Sequence, residues 1–209
     1  MMTAFSHPLH GSRRLGRVHC LVSDRDDLAL VASIAAAGVD GFQVRAKDLG
    51  TRDLVALVRA VRAAVAPHGA TVLVNDRLDV ALATGADGVH LGAADLAVAD
   101  ARRIAPQLVI GATCRSRDEV LAAAADGADY AGVGPVFATT SKPGLPEPLG
   151  TTGLRHVVGV LPVIAIGGIT AADAAAVFEA GASGVAVIGG IWRPPDPVVA
   201  AEELLAAIG

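Results

Sequence analysis

The chain has 209 residues, 53% of them hydrophobic and 18% charged, with a formal net charge of −4. That length suits one domain with a substantial buried core, and the charge balance leaves no basic stripe for nucleic acid. The apolar runs are too short and too interrupted by proline and glycine to cross a bilayer, no hydrophobic stretch follows Arg13, Arg14 and Arg17 as a secretory signal requires, and two cysteines, Cys20 and Cys114, do not make a disulfide scaffold, so a reduced, cytoplasmic protein is expected.

Residues 1–17 read as a flexible N-terminal arm, and 18–209 as the folded unit. Within it, short apolar runs alternate with longer Ala/Leu/Val-rich stretches of helical period. The strand candidates are Val18–Ser23, Gly41–Arg45, Thr71–Asn75, Gly88–Leu91, Val109–Thr113, Tyr130–Gly134, Val163–Ile166 and Gly184–Ile188. Helical patterns lie near 26–37, 51–66, 77–84, 95–104, 116–126, 151–159, 170–180 and 197–208. Runs apolar throughout, rather than alternating, suit parallel strands covered on both faces. One joint recurs between helix and strand, in Gly38-Val39-Asp40, Gly85-Ala86-Asp87, Gly127-Ala128-Asp129 and Gly181-Ala182-Ser183. Glycine there ends a helix with φ > 0, and the polar residue marks the turn into the next strand. Eight such units predict an α/β fold, a single (β/α)8 TIM barrel, over an open doubly wound sheet.

In a barrel of this kind, chemistry gathers at the C-terminal ends of the strands and the loops after them. The second strand runs into Gln43, Arg45 and Lys47, which alternation places on one side, where two cations and an amide suit an anion such as phosphate. The third ends at Asn75-Asp76 and the fourth is followed by Asp95. Those two carboxylates read either as helix N-caps or as a pair sharing one hard cation, for which Mg²⁺ with water and phosphate oxygens is the natural occupant. His90, inside an apolar run, reads as a hydrogen-bonded core histidine, and Cys114 as a small buried hydrophobe beside Thr113. The stretch Ala138–Gly150 holds three prolines and two glycines after the sixth strand and reads as a lid carrying Thr139, Thr140, Ser141 and Lys142. Paired glycines follow the seventh and eighth strands at Gly167-Gly168 and Gly189-Gly190, the usual phosphate position of this fold.

Taken together, the strand ends QVRAK (Gln43–Lys47), VNDR (Val74–Arg77), GVHLGAAD (Gly88–Asp95), IGAT (Ile110–Thr113), GPVFATTSK (Gly134–Lys142), AIGGI (Ala165–Ile169) and VIGGI (Val187–Ile191) resemble the thiamine phosphate synthase family. The resemblance implies a Mg²⁺-dependent transferase that joins 4-amino-2-methyl-5-hydroxymethylpyrimidine diphosphate to 4-methyl-5-(2-phosphoethyl)thiazole, or its carboxylate form, releasing diphosphate. It implies that Gln43, Arg45, Lys47, Asn75 and Lys142 hold the pyrimidine diphosphate, and that Asp76 and Asp95 hold Mg²⁺. Thr139, Ser141, Gly168, Ile188 and Gly189 would face the thiazole phosphate, and Arg45, Lys47, Thr113 and Lys142 would act in catalysis. The chain departs from the family at Ala93, where glutamine is common, at Ala138 (proline), at Gly189 (serine), and at Thr113 and Arg115, where serine and histidine are frequent.

Two other readings share the barrel. One is a thiazole tautomerase-like isomerase, whose expected histidine after the fifth strand is replaced here by Arg115. The other is a non-catalytic phosphate-ligand sensor, suggested by Ala93 and Gly189. Partners are expected to be small molecules, and a homodimer is one assembly open to a small barrel.

Overall fold

The computed structural model describes residues 15–140 and 144–209. Eight parallel strands close into a barrel in sequence order: β1 Val18–Val22, β2 Gly41–Val44, β3 Thr71–Asn75, β4 Gly88–Leu91, β5 Val109–Cys114, β6 Tyr130–Val133, β7 Val163–Ile166 and β8 Gly184–Val187. Around it lie α1 Val31–Ala36, α2 Thr51–Val65, α3 Leu78–Thr84, α4 Val98–Ile104, α5 Arg117–Ala125, α6 Gly150–Val157, α7 Ala171–Glu179, a short α8 Gly189–Trp192 and α9 Pro197–Ala206. Among the described residues no helix is long and apolar enough to cross a membrane.

The helices follow from their sequences. In α2, Leu54, Leu57, Val58, Val61 and Val65 are buried at helical spacing, with Asp53 in the first turn and Arg62 in the last, each matching the helix dipole. Ser116 caps α5, Thr170 and Asp173 form a capping box on α7, and Asp196 caps α9 ahead of Pro197. Two predicted helices are shorter at their start. Over 26–37, the Asp26 carboxylate accepts from Ser23 N (2.7 Å) and Asp27 caps a 3-10 turn at Leu28–Leu30, so α1 proper begins at Val31. Over 95–104, Asp95 turns back to accept from Gly92 N, which holds that segment in turns until Val98.

All four predicted joint glycines have φ > 0: Gly38, Gly85, Gly127 and Gly181. The aspartates after three of them do more than mark a turn. Asp40 Oδ1 accepts from Val18 N (2.9 Å), Asp87 Oδ2 from Val72 N (2.8 Å) and Asp129 Oδ2 from Ile110 N (2.7 Å). Each aspartate leading into an even strand thus pins the beginning of the odd strand before it, satisfying an amide at the bottom rim of the barrel. Of the expected arm, residues 1–14 lie outside the described residues. Arg17 is held, its N–H on Asp40 and its guanidinium on the carbonyls of Ile208 and Gly209.

The core has two layers. One lies between barrel and helices; the other fills the barrel with Leu21, Leu73, Val109, Tyr130, Ile164 and Ala186. Three rings lie near this centre, with His19 and His90 stacked 6.4 and 5.6 Å from Tyr130. They fit because the facing positions are glycines: a Cβ at Gly111 would stand 2.0 Å from Tyr130 Cζ, and one at Gly132 would stand 2.6 Å from His90 Cε1. Gly111→Ala is therefore expected to cost about 3 kcal/mol, because the added methyl and the buried Tyr130 ring cannot share that space. A melting temperature lowered by roughly 6–12 °C is the matching signature. A melt within 2 °C of wild type would show that the ring has slack.

Candidate active site

All the described residues singled out for the site line one cavity of about 860 Å³ at the C-terminal mouth of the barrel: Gln43, Arg45, Lys47, Asn75, Asp76, Asp95, Thr113, Thr139, Gly168, Ile188 and Gly189. Ser141 and Lys142 lie outside the described residues.

Gln43 and Asn75, from neighbouring strands and both buried, form a pair in which Gln43 Nε2 donates to Asn75 Oδ1 at 2.7 Å. This leaves Asn75 Nδ2 buried without a partner among the described residues, a donor at the cavity wall that calls for an acceptor. The next residue, Asp76, adopts φ = 66°, a left-handed conformation uncommon outside glycine. Its amide donates to His90 O at 2.8 Å, and its carboxylate meets Lys47 Nζ at 2.8 Å. Burial, and then the adjacent Asp76 carboxyl, raise the pKa of Asp95, whose Oδ2 accepts from Gly92 N at 2.7 Å.

The alternative that these acids cap helices is overturned. The N-cap of α3 is Arg77 and that of α4 is Ala97, neither using an aspartate side chain. Two carboxylates are instead held together at the cavity rim, and the Lys47 ammonium offsets part of their repulsion. Among the described residues no cluster of three or more acidic, histidine or cysteine ligands exists. A Mg²⁺ held here would take only these two carboxylates from the protein and would need its remaining oxygens from water and phosphate.

Arg45 carries the other charge on this side. Its backbone N–H is fixed on Val22 O at 2.8 Å, and its guanidinium makes no ion pair among the described residues. Further in, His90 accepts or donates at both ring nitrogens, with Tyr130 Oη and Thr113 Oγ1 each at 3.0 Å. Burial lowers its pKa to about 4, so the ring is neutral and fully engaged at neutral pH, a bonded core histidine. Cys114 is buried and free, its thiol pushed up to about 11 by burial and the nearby Glu119, which suits a packed small side chain rather than a nucleophile.

The loops after β6, β7 and β8 meet at the far side. Gly167 and Gly168 both have positive φ, and a Cβ on Gly168 would stand 2.4 Å from Ala138 O, so glycine permits the two loops to touch. Three features escaped the sequence reading. Arg115 braces the long loop, its guanidinium donating to Gly134 O (3.0 Å) and Glu147 O (2.9 Å). The helix α8 is four residues long, too short for any periodic signal. Arg193, just beyond it, reaches back into the cavity wall and donates to Thr140 Oγ1 at 2.9 Å.

The chain is similar to known proteins along most of its length. Residues 18–191 match the family model described as thiamine monophosphate synthase. The chain is 48% identical to a thiamine-phosphate synthase of Salinispora arenicola, over 93% of this chain and 98% of that one. It is 47% identical to a thiamine biosynthesis bifunctional protein of Symbiobacterium thermophilum, covering 93% of this chain but only 41% of that longer protein. Among solved structures, a thiamine phosphate pyrophosphorylase from Pyrococcus furiosus superposes with a TM-score of 0.84 at 35% identity, over 92% of this chain and 95% of that one.

Proposed function

The chain belongs to the thiamine monophosphate synthase family, and we propose that its barrel mouth joins 4-amino-2-methyl-5-hydroxymethylpyrimidine diphosphate to 4-methyl-5-(2-phosphoethyl)thiazole, giving thiamine phosphate and diphosphate, with CO2 also released when the acceptor is the carboxylate form. The observation that carries this reading is the convergence, in one cavity, of a carboxylate pair, a guanidinium (Arg45) with no ion pair among the described residues, and a glycine-lined loop face.

Each group has a task in that reaction. The Gln43–Asn75 pair holds the pyrimidine, with the unpartnered Asn75 Nδ2 offering a hydrogen bond to a ring nitrogen. Arg45, Lys47 and Lys142 receive the diphosphate, and Thr113, kept in place by His90, adds a hydroxyl. Asp76 and Asp95 would hold Mg²⁺, which when bound neutralises charge on the diphosphate oxygens and makes it a better leaving group. Thr139, Ser141 and the backbone at Gly168, Ile188 and Gly189 seat the thiazole phosphate. The bond from the exocyclic carbon to oxygen breaks with its electron pair going to diphosphate, and the thiazole nitrogen lone pair forms the new carbon–nitrogen bond. No proton need be removed, which suits a site whose histidine is neutral and already bonded at both nitrogens. Preorganised cations facing a developing diphosphate are the main source of rate. The same reading takes these two small molecules as the partners and places the enzyme in the cytosol.

The test is a coupled diphosphate-release assay. Release that requires both substrates and Mg²⁺, with thiamine phosphate as product, is the expected result. Thiazole phosphate binding without release would replace this reading with the sensor. Proton exchange on a thiazole phosphate carboxylate in the absence of the pyrimidine would replace it with the isomerase, although Arg115 is committed to two carbonyls.

A further inference from the structure

Arg193 stands outside the set of residues above, yet its side chain forms part of the same cavity wall as Gly168, Ile188 and Gly189. It emerges after α8 and folds back over that helix's first residue. A Cβ on Gly189 would lie 2.8 Å from Arg193 Nε and 3.0 Å from its Cδ. Glycine at 189 is therefore what lets the guanidinium lie there. Nη2 donates to Thr140 Oγ1 at 2.9 Å, linking the β8 side of the mouth to the long loop after β6. Among the described residues no carboxylate pairs with it, and this one hydroxyl uses one of five N–H donors. A guanidinium with spare donors, at a cavity edge beside two glycine-rich loops, is suited to a phosphate dianion, which it can grip through two parallel hydrogen bonds.

We propose that Arg193 binds the phosphate of the thiazole substrate and sets the enzyme's preference for a phosphorylated acceptor. Its bond to Thr140 fastens the loop strand Ala138–Thr140 over the seated phosphate. This assignment rests on the synthase reading for the identity of the acceptor, but its geometry stands on Arg193, Gly189 and Thr140 alone.

The test compares wild type with Arg193→Gln, Arg193→Lys and Thr140→Val, using 4-methyl-5-(2-phosphoethyl)thiazole and the corresponding unphosphorylated alcohol as acceptors. Arg193→Gln is expected to raise KM for the phosphorylated thiazole by about 10–100-fold, the worth of a charge-assisted hydrogen bond. KM for the pyrimidine diphosphate stays within about twofold, and kcat/KM for the alcohol is unchanged. Arg193→Lys recovers part of the loss, and Thr140→Val raises the same KM by only about 2–5-fold, as expected for a neutral hydrogen bond. An unchanged KM for the phosphorylated thiazole overturns the proposal, as does an equal loss on both acceptors or on both substrates. Calorimetric binding of the thiazole phosphate to wild type and Arg193→Gln separates the two levels of the argument. Wild type that binds but does not turn over sinks the synthase reading alone, whereas equal affinity in the two proteins sinks the role of Arg193 alone.

Discussion

Asp95→Asn is expected to lower kcat by about 10²–10³-fold, comparable to the loss of one preorganised charge-stabilising group, without lowering the melting temperature. The two halves of this expectation come from one observation. Burial and the neighbouring Asp76 carboxyl raise the pKa of Asp95, so the ionised pair is a cost to the protein by itself. Asparagine removes that repulsion and still offers an oxygen to Gly92 N, so the turn before α4 keeps its anchor. The catalytic half follows because one carboxylate is left to hold a dication against the pull of solvent. The measurement is diphosphate release at saturating substrates over a Mg²⁺ series, with a thermal melt on the same sample. Activity within threefold of wild type would remove Asp95 from the metal pair. A melting temperature several degrees lower would make its role structural.

Arg45→Gln is expected to lower kcat/KM for the pyrimidine diphosphate by about 10²–10³-fold, the range for truncating one partner of a close charge pair. KM for the thiazole phosphate should stay within threefold. Lys47 cannot compensate fully, since its ammonium is already 2.8 Å from Asp76 Oδ2. The backbone of Arg45 is held on Val22 O whatever the side chain, so the variant tests charge and geometry rather than folding. Arg45→Lys should recover only part of the loss, because an ammonium lacks the planar fork that grips two phosphate oxygens. Initial rates with the pyrimidine diphosphate varied at fixed acceptor decide the matter. Equal losses for both substrates would mean that Arg45 shapes the cavity rather than receiving the diphosphate.

Much of the barrel was legible because its signals are local. Apolar runs mark strands buried on both faces, and the glycines at 38, 85, 127 and 181 mark helix ends through their own backbone conformation. The side from which Gln43, Arg45 and Lys47 reach the cavity follows from alternation alone. What escaped depends on contacts distant in sequence. Asp40, Asp87 and Asp129 look like turn residues until the strands they pin are seen 15–22 residues earlier. His90 was readable as a bonded histidine, but nothing near it names Tyr130 and Thr113 as partners. Asp76 and Asp95 were open to two readings, and the placement of Arg77 and Ala97 as N-caps removes the capping one. Arg193 follows a helix of one turn and acts by folding backwards, so no periodicity points to it.

The bracing of the long loop has a thermodynamic consequence. Arg115 ties Gly134 O to Glu147 O, and the amides of Leu149 and Gly150 bond to the carbonyls of Pro135 and Val136 at 2.9 Å each. The stretch between these ties is a closed ring in the polymer sense: the barrel holds its ends together with or without ligand. The entropy of bringing those ends together is met when the protein folds rather than when substrate binds. A ring of this kind tolerates changes in length, since doubling it would cost only about 0.6 kcal/mol of closure entropy. Insertions around Gly144 should therefore leave the stability of the barrel nearly unchanged.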